Sequence, residues 1–194
     1  GLHTSLCLLE SNFQPIIIDN FVNSSPNAIK CIEKLSNHPI KSYKGDIRDS
    51  ELLDEIFLEN NIKGVIHLAG LKAVGESCEN PILYFDTNVN GAISLLKTMD
   101  LHNVRNLVFS SSATVYGNPS TLPIKENSTL NPTNPYGSTK LIIENICRDL
   151  VRENSLSNNN SWKISLLRYF NPIGAHESGM IGEDPRGIPN NLMP

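Results

Sequence analysis

Short runs of β-branched residues alternate with helical stretches along most of this sequence. The predicted strands cover Pro15–Asp19, Ile40–Lys44, Val65–Leu68, Leu107–Ser110 and Lys163–Tyr169. The predicted helices cover Leu2–Ser11, Ser25–Leu35, Glu51–Glu59 with Ser50 as its cap, Pro81–Asp100 with an irregular early part, and Pro135–Glu153. Strands joined by crossover helices pair in parallel. The alternation therefore predicts an α/β protein built on a doubly wound parallel sheet.

The amino-terminal end of the sequence departs from that pattern. A doubly wound nucleotide-binding domain opens with a strand and a glycine-rich turn that feeds the first helix. Here the first predicted helix follows Gly1 directly. We therefore expect the first strand and the other glycines of the turn to be missing, with Gly1 as the last of those glycines.

Composition excludes several classes of function. The 194 residues carry a net charge of −4, which argues against a nucleic-acid or membrane surface, and no apolar run reaches the roughly 20 residues of a membrane span. The four cysteines form no C-x-x-C pair, so we expect no metal site and no disulfide framework, but buried thiols in a reducing cytosol.

Small and acidic residues follow three of the predicted strands. A carboxylate at Asp19 could accept hydrogen bonds from adenosine ribose hydroxyls and repel a 2′-phosphate, which favours NAD over NADP, although a loop or capping role is equally open. Asp46 ends the next strand at the same edge and could meet an adenine amino group. The small residues of Leu68–Lys72 would let the backbone approach a cofactor.

A serine cluster, a tyrosine and a lysine carry the sharpest chemical signal. Ser110–Ser112 follows a strand at the edge where open α/β sheets bind ligands, and Tyr136 and Lys140 open the next helix. Positions i and i+4 share a helix face, so the Lys140 ammonium, with an oxidised nicotinamide, should lower the pKa of Tyr136. A phenol tuned in this way is a general base for a sugar hydroxyl. Each motif alone is common, so the ordered set carries the interpretation.

Four longer stretches of the sequence point to a narrower protein family than these motifs do. They are His67–Ser77, Phe109–Gly117, Leu167–His176 and Gly182–Pro194. With the Ser…Tyr-x-x-x-Lys set they resemble the extended short-chain dehydrogenase/reductase superfamily and, within it, the UDP-glucose 4-epimerase family. The resemblance covers essentially the whole chain. It implies an isomerase of galactose metabolism, a cytoplasmic homodimer that interconverts UDP-glucose and UDP-galactose by transient oxidation at sugar C4 with bound NAD.

The resemblance also implies roles for individual residues. Tyr136 would remove the proton of the sugar 4-hydroxyl, Ser112 would hydrogen-bond the reacting oxygen, and Lys140 would bind the nicotinamide ribose. Cofactor contacts are implied for Gly1, Asp19, Asn20, Asp46, Ile47, Leu68, Ala69, Gly70, Lys72, Asn88, Tyr136, Lys140 and Phe170. Substrate contacts are implied for Ser112, Tyr136, Phe170, Asn171, Asn190, Asn191 and Leu192.

The same resemblance divides the chain. Residues 1–170 would form a Rossmann-type NAD-binding domain that is incomplete at its amino terminus, and residues 171–194 would begin a smaller UDP-sugar-binding portion. The missing glycines would bind the pyrophosphate at the helix amino terminus. We therefore expect the isolated chain to bind NAD poorly and to be inactive.

Other functions on this scaffold stay open. A 4,6-dehydratase would need an acid pair beside the catalytic serine, whereas Ala113 and Thr114 follow Ser112. A UDP-glucuronate decarboxylase or 4-epimerase would need a site for the sugar carboxylate, and a UDP-N-acetylhexosamine 4-epimerase would share the three residues. A non-catalytic NAD-binding protein would have no need to keep Tyr136 and Lys140 together.

Overall fold

The structure is a computed structural model that describes residues 1–154 and 161–182. Its strands are β1 (Ile16–Asp19), β2 (Lys41–Lys44), β3 (Val65–His67), β4 (Asn106–Ser112) and β5 (Lys163–Tyr169). Its helices are α1 (Leu2–Glu10), α2 (Asn27–Ser36), α3 (Ser50–Glu59), α4 (Val74–Glu79), α5 (Pro81–Tyr84), α6 (Gly91–Leu101) and α7 (Pro135–Asn154), with a π-helical segment at Phe85–Asn90 and a 3-10 helix at Ala113–Tyr116. The predicted loop at 155–160 and the residues Asn190, Asn191 and Leu192 lie outside the described residues.

Parallel pairing confirms the predicted α/β class. β1 pairs with β2 in one sheet, and β4 lies between β3 and β5 in a second. In the second sheet Phe109 lies opposite His67, and Ser112 lies opposite Tyr169. Because parallel strands all end at the same edge of their sheet, the serine cluster lies at the carboxyl edge of β4, as predicted.

The chain divides into two compact units. The first comprises Gly1–Asp46 with the described part of Asn171–Pro194. In this unit one face of α2 is apolar and buried. Ile29 and Ile32 recur there at helical spacing, and both are buried. The cluster that they join contains Leu6, Ile40 and Ile181, with Leu2, Leu9, Ile17, Phe21 and Leu35 packed against it.

The second unit, Ile47–Phe170, holds the three-stranded sheet and the remaining helices. Its core forms where β4 alternates buried residues with half-buried ones and α7 packs against the sheet. Phe109 of β4, Ile143 of α7 and Tyr84 of α5 are all at most 2% exposed. This packing places one face of α7 against the carboxyl end of β4.

The structure corrects several predicted helices. The single helix predicted over Pro81–Asp100 is an α-helical turn, a π-helical segment and a second α-helix, so its irregular early part is confirmed. Helix α4 was not predicted, since six residues are too few to show a helical repeat. Asp49 rather than Ser50 caps α3, because the Asp49 side chain accepts a hydrogen bond from the Leu52 backbone amide.

Strand ends and cysteines also differ from expectation. β4 continues to Ser112 instead of ending at Ser110, because pairing with β5 extends that far. β1 is half-buried along its whole length. All four cysteines are free, but only Cys147 is buried, while Cys7 and Cys78 are exposed.

Two kinds of feature are absent from the described residues. Within residues 1–154 and 161–182, no helix has the length and apolar character needed to cross a membrane. The same part of the chain contains no group of three or more histidine, cysteine, aspartate or glutamate side chains arranged to hold a metal ion.

Candidate functional site

The amino terminus of α7 carries the site and is fixed by local capping. Pro135 is the first helical residue, and the side chain of Asn134 accepts a hydrogen bond from the Gly137 backbone amide at 2.8 Å. A Cβ atom on Gly137 would lie 2.9 Å from the Thr114 carbonyl oxygen. Glycine at this position therefore allows α7 to approach the segment that follows β4.

Ser112 lies at the end of β4 and is held in a defined orientation. The Thr114 backbone amide and hydroxyl both donate hydrogen bonds to Ser112 Oγ, at 3.2 and 2.9 Å. Because its oxygen accepts twice, the Ser112 hydroxyl proton points elsewhere, and the hydroxyl is near enough to Tyr136 to favour the phenolate and so to lower the pKa of the phenol. The structure thus brings together two of the three predicted catalytic residues.

The predicted lowering of the Tyr136 pKa by Lys140 together with an oxidised nicotinamide stays a prediction, and within the chain itself this pKa is raised. Burial raises it above the ordinary value, and the Ser112 hydroxyl offsets only part of that rise. Desolvation disfavours a phenolate. The expected lowering by Lys140 therefore does not occur in the protein alone.

Lys140 is buried on the same face of α7, one turn after Tyr136. Its ammonium donates a hydrogen bond to the Ser110 carbonyl oxygen at 2.7 Å and lies 5.8 Å from the centroid of the Tyr136 ring. Burial lowers the pKa of Lys140 to about 8. An ammonium with three donors and one hydrogen bond among the described residues can donate to further acceptors.

His67 is a buried neighbour of Lys140 that sequence reasoning missed as a titratable group. Its ring lies 5.6 Å from that of Phe109, and the Lys140 ammonium lies 4.9 Å from the Phe109 ring centroid. Burial, and then the charge of Lys140, lowers the pKa of His67 to about 3. His67 is therefore neutral at physiological pH.

Glu144 and Arg168 are two further residues that sequence reasoning missed. Glu144 is fully buried four residues after Lys140 on α7, and Arg168 of β5 forms an ion pair with it at 2.8 Å. Burial alone would raise the pKa of Glu144, but hydrogen bonds from Arg168 and Ser111 and the charge of Arg148 outweigh it, so the pKa is lowered. The i+4 spacing from Lys140 was the one available signal for Glu144.

The side chain of Asn88 forms hydrogen bonds with the loop that follows β3. Its amide accepts a hydrogen bond from the Leu71 backbone amide at 2.8 Å and donates to the Leu71 carbonyl at 3.0 Å. It also donates to Thr139 Oγ1 at 3.2 Å, next to Lys140 in sequence. Asn88 was predicted to contact a cofactor, and the structure shows that its amide ties the loop at Gly70–Leu71 to α7.

In the first unit, three predicted cofactor residues converge at the carboxyl ends of β1 and β2. Asp19 Oδ1 accepts hydrogen bonds from the Phe21 backbone amide at 2.7 Å and the Ser24 hydroxyl at 2.9 Å. Asn20 Nδ2 lies 3.3 Å from Asp46 Oδ2. The shared edge predicted for Asp19 and Asp46 is confirmed, and Asp19 also takes the turn-forming role that was left open.

The remaining predicted residues lie in several places. Gly1 precedes α1 and its carbonyl accepts from the Ser5 amide at 2.9 Å. Ile47 is buried in the second unit, whereas Ala69 and Lys72 are exposed and Leu68 is half-buried in the loop after β3. Phe170 is 61% exposed and lines a hollow of about 540 Å³ whose lining omits Ser112, Tyr136 and Lys140. Asn171 is exposed at the start of the tail.

Comparison with known proteins adds independent information. Residues 1–192 match a protein-family model described as GDP-mannose 4,6 dehydratase. Over its full length the chain is 52% identical to a UDP-glucose 4-epimerase of Dictyostelium discoideum and 50% identical to one of Bacillus subtilis, covering 55% and 56% of those proteins. The chain thus spans about half the length of the curated relatives that it matches.

Solved structures give the same picture. The UDP-glucose 4-epimerase from Bifidobacterium longum, solved with NAD+ and UDP, matches 98% of this chain at 52% identity with a TM-score of 0.92, and the match covers 56% of that protein. One from Stenotrophomonas maltophila, solved with NAD and formylated UDP-arabinopyranose, matches 98% of the chain at 39% identity with a TM-score of 0.91, over 56% of its own length. The predicted resemblance to UDP-glucose 4-epimerases is confirmed.

Proposed function

The chain belongs to the protein family described as GDP-mannose 4,6 dehydratase, and on that premise we propose that it forms the NAD-binding part of a UDP-glucose 4-epimerase. The observation that carries the proposal is the placement of Ser112 and the buried Lys140 ammonium beside Tyr136, with the ammonium 5.8 Å from the centroid of the Tyr136 ring. This arrangement suits reversible proton transfer at a sugar hydroxyl, because the phenol has a hydroxyl and a cation nearby.

The residues present fit NAD. Both hydrogen bonds that Asp19 accepts reach Oδ1, so within the described chain Oδ2 can accept from an adenosine ribose hydroxyl, and the carboxylate disfavours a 2′-phosphate. Lys140, with donors to spare, would bind the nicotinamide ribose. When bound, NAD supplies a reversible hydride acceptor. The other proposed contacts are Gly1, Asn20, Asp46, Ile47, Leu68, Ala69, Gly70, Lys72, Asn88 and Phe170.

Tyr136 and Ser112 would have different roles in the proton transfer. Tyr136 Oη would remove the proton of the sugar 4-hydroxyl and return it after the sugar has turned over. Ser112 would hold the reacting oxygen, and its fixed orientation against Thr114 would keep its proton directed at the site. Phe170, Asn171, Asn190, Asn191 and Leu192 would face the nucleotide sugar.

Two observations bear on the alternatives. The family description names a dehydratase, but Ala113 and Thr114 follow Ser112 where dehydration needs an acid pair. Thr114 instead supplies two hydrogen bonds to Ser112 Oγ. Residue types at this position therefore favour epimerisation over loss of water.

A cytoplasmic homodimer completes the proposal, and the four free cysteines support a reducing compartment.

Conversion of UDP-galactose to UDP-glucose by the complete natural protein, without added reductant, tests this function. We expect turnover, and we expect Tyr136→Phe to lose it while still binding NAD, since the ring keeps its packing and only the phenolic oxygen is removed. Wild-type protein that binds NAD but converts no UDP-galactose would contradict the proposal. Undiminished turnover by Tyr136→Phe would contradict the role of Tyr136 as the base.

A further inference from the structure

A buried ion pair lies next to Ser112, the proposed catalytic serine. The guanidinium of Arg168 donates to both carboxylate oxygens of Glu144, from Nε to Oε1 at 2.9 Å and from Nη2 to Oε2 at 2.8 Å. Paired hydrogen bonds of this kind define orientation as well as distance. The side chain of Glu144 is 0% exposed and that of Arg168 is 15% exposed, so solvent does little to screen the pair.

The ion pair bonds side chains on both sides of Ser112 in the sequence. Before it in sequence, the Ser111 hydroxyl donates to Glu144 Oε1 at 2.6 Å. After it, Arg168 Nη1 donates to the Tyr116 phenolic oxygen at 2.7 Å. Ser112 therefore lies between two residues that are both anchored to the same pair.

Three residues of helix α7 contact the carboxyl end of β4. Tyr136, Lys140 and Glu144 follow each other at four-residue spacing on one face of the helix. Lys140 bonds the carbonyl of Ser110 and Glu144 bonds the hydroxyl of Ser111. Tyr136 lies near enough to Ser112 for that hydroxyl to lower the pKa of the phenol. A shift of α7 along β4 would break all three contacts together.

We propose that Glu144 and Arg168 are positioning residues, whose buried ion pair holds the carboxyl end of β4 against α7 and thereby sets the alignment of the Ser112 hydroxyl with the Tyr136 phenol. The inference rests on the proposed function of Ser112 and Tyr136. Neither Glu144 nor Arg168 touches the reacting atoms. Their effect on turnover passes through Ser112, because that residue lies between the two segments that they anchor.

Glu144→Gln is the informative substitution. The amide keeps the side-chain volume and can still accept from Ser111, but it loses the charge that pairs with Arg168 and with Arg148, whose Nη2 lies 2.6 Å from Glu144 Oε2. Small displacements of reacting groups are costly, up to about 100-fold for 1 Å, so we expect kcat to fall about 10-fold or more with KM for UDP-galactose changed less than about 3-fold. The matched control is Asp149→Asn on the same helix, which breaks the exposed ion pair with Arg152 and should leave both constants unchanged.

A double-mutant cycle separates positioning from general loss of structure. If Glu144 acts through Ser112, the kcat loss of Glu144→Gln should largely disappear when it is combined with Ser112→Ala. Equal kcat losses in the two backgrounds would overturn the proposal, as would an unchanged kcat in Glu144→Gln. Should Glu144→Gln fail to fold, Ser111→Ala, which removes only the tie between β4 and the ion pair, replaces it in the same cycle with the same expected outcomes.

A crystal structure of Glu144→Gln supplies a readout that does not depend on activity. We expect the distance between Ser112 Oγ and Tyr136 Oη to increase, while the ends of α7 remote from Glu144 superpose on the unsubstituted protein. An unchanged Ser112–Tyr136 distance would refute positioning. Failure of the wild-type protein to convert UDP-galactose would instead refute the proposed function. The crystal structure of Glu144→Gln would then decide the positioning proposal by itself.

Discussion

The hydroxyl of Thr114 donates a hydrogen bond to Ser112 Oγ across 2.9 Å, and the Thr114 backbone amide donates a second at 3.2 Å. Thr114, which lies two residues after Ser112 in the sequence, thus orients the side chain that faces Tyr136. The 3-10 helix at Ala113–Tyr116 makes this possible, because it turns the chain back over the end of β4 immediately after Ser112.

Thr114→Val should impair turnover without unfolding the protein. Valine keeps the shape and removes one hydroxyl donor to Ser112, and one lost hydrogen bond of this kind is worth about 1 kcal/mol, or roughly a 5-fold fall in kcat. Steady-state kinetics on UDP-galactose measures the change. Thr98→Val is the control, because the Thr98 hydroxyl bonds the Ser94 carbonyl within its own helix. A larger loss in Thr98→Val than in Thr114→Val would contradict this account.

Asn88→Ala should destabilise the second unit. The substitution leaves the Leu71 backbone amide and carbonyl without the partners that the Asn88 side chain provides, and buried unpaired groups cost about 1–3 kcal/mol each. Urea denaturation should show a lower midpoint. Asn90→Ala, in the same π-helical segment, removes only an exposed hydrogen bond to Asp86 and should change the midpoint little. Equal midpoints for the two variants would show that the contact with Leu71 contributes nothing.

Gly117→Ala should be strongly destabilising. Gly117 has a φ of +60°, and an added Cβ would lie 1.9 Å from the Asn131 carbonyl oxygen, so the backbone would have to move. We expect a loss of several kcal/mol in the free energy of unfolding, measured by urea or thermal denaturation. The matched substitution is Gly75→Ala in helix α4, where an added Cβ meets nothing within 4 Å. That variant should be unchanged or more stable, by up to about 1 kcal/mol, because alanine favours helix.

His67 should make stability depend on pH in a defined window. Burial lowers its pKa from 6.5 to about 3, so below pH 6.5 the unfolded chain takes up a proton that the folded chain does not. Stability contributed by neutral His67 is therefore complete above pH 6.5 and is lost as the pH falls toward 3. Between pH 7 and pH 5.5 the loss should be about 1 kcal/mol.

Urea denaturation at these two pH values measures that loss, with His67→Gln compared against His38→Gln. His38 is exposed, so its replacement should preserve the pH dependence, whereas replacement of His67 should reduce it. The Lys140 ammonium, with a pKa of about 8, does not change its charge in this window. An undiminished pH dependence in His67→Gln would assign the effect to another group.

Local periodicity was enough to predict much of the architecture. The β-branched runs predicted five strands that the structure confirms, and the four-residue spacing of Tyr136 and Lys140 placed them on one helix face. The short helix α4 and the π-helical segment escaped prediction in detail, because a stretch of four to six residues contains too little repeat to reveal its geometry.

The sequence by itself determined the α/β class, the parallel pairing, the family resemblance and the shared face of Tyr136 and Lys140, because each depends on residue types and their order within continuous stretches of the chain. Tertiary structure alone decided the raised pKa of Tyr136 and the pairing of Glu144 with Arg168, which lies 24 residues away. Burial and contacts between distant segments arise only when strands and helices pack, and desolvation then acts on charges that the sequence leaves unplaced.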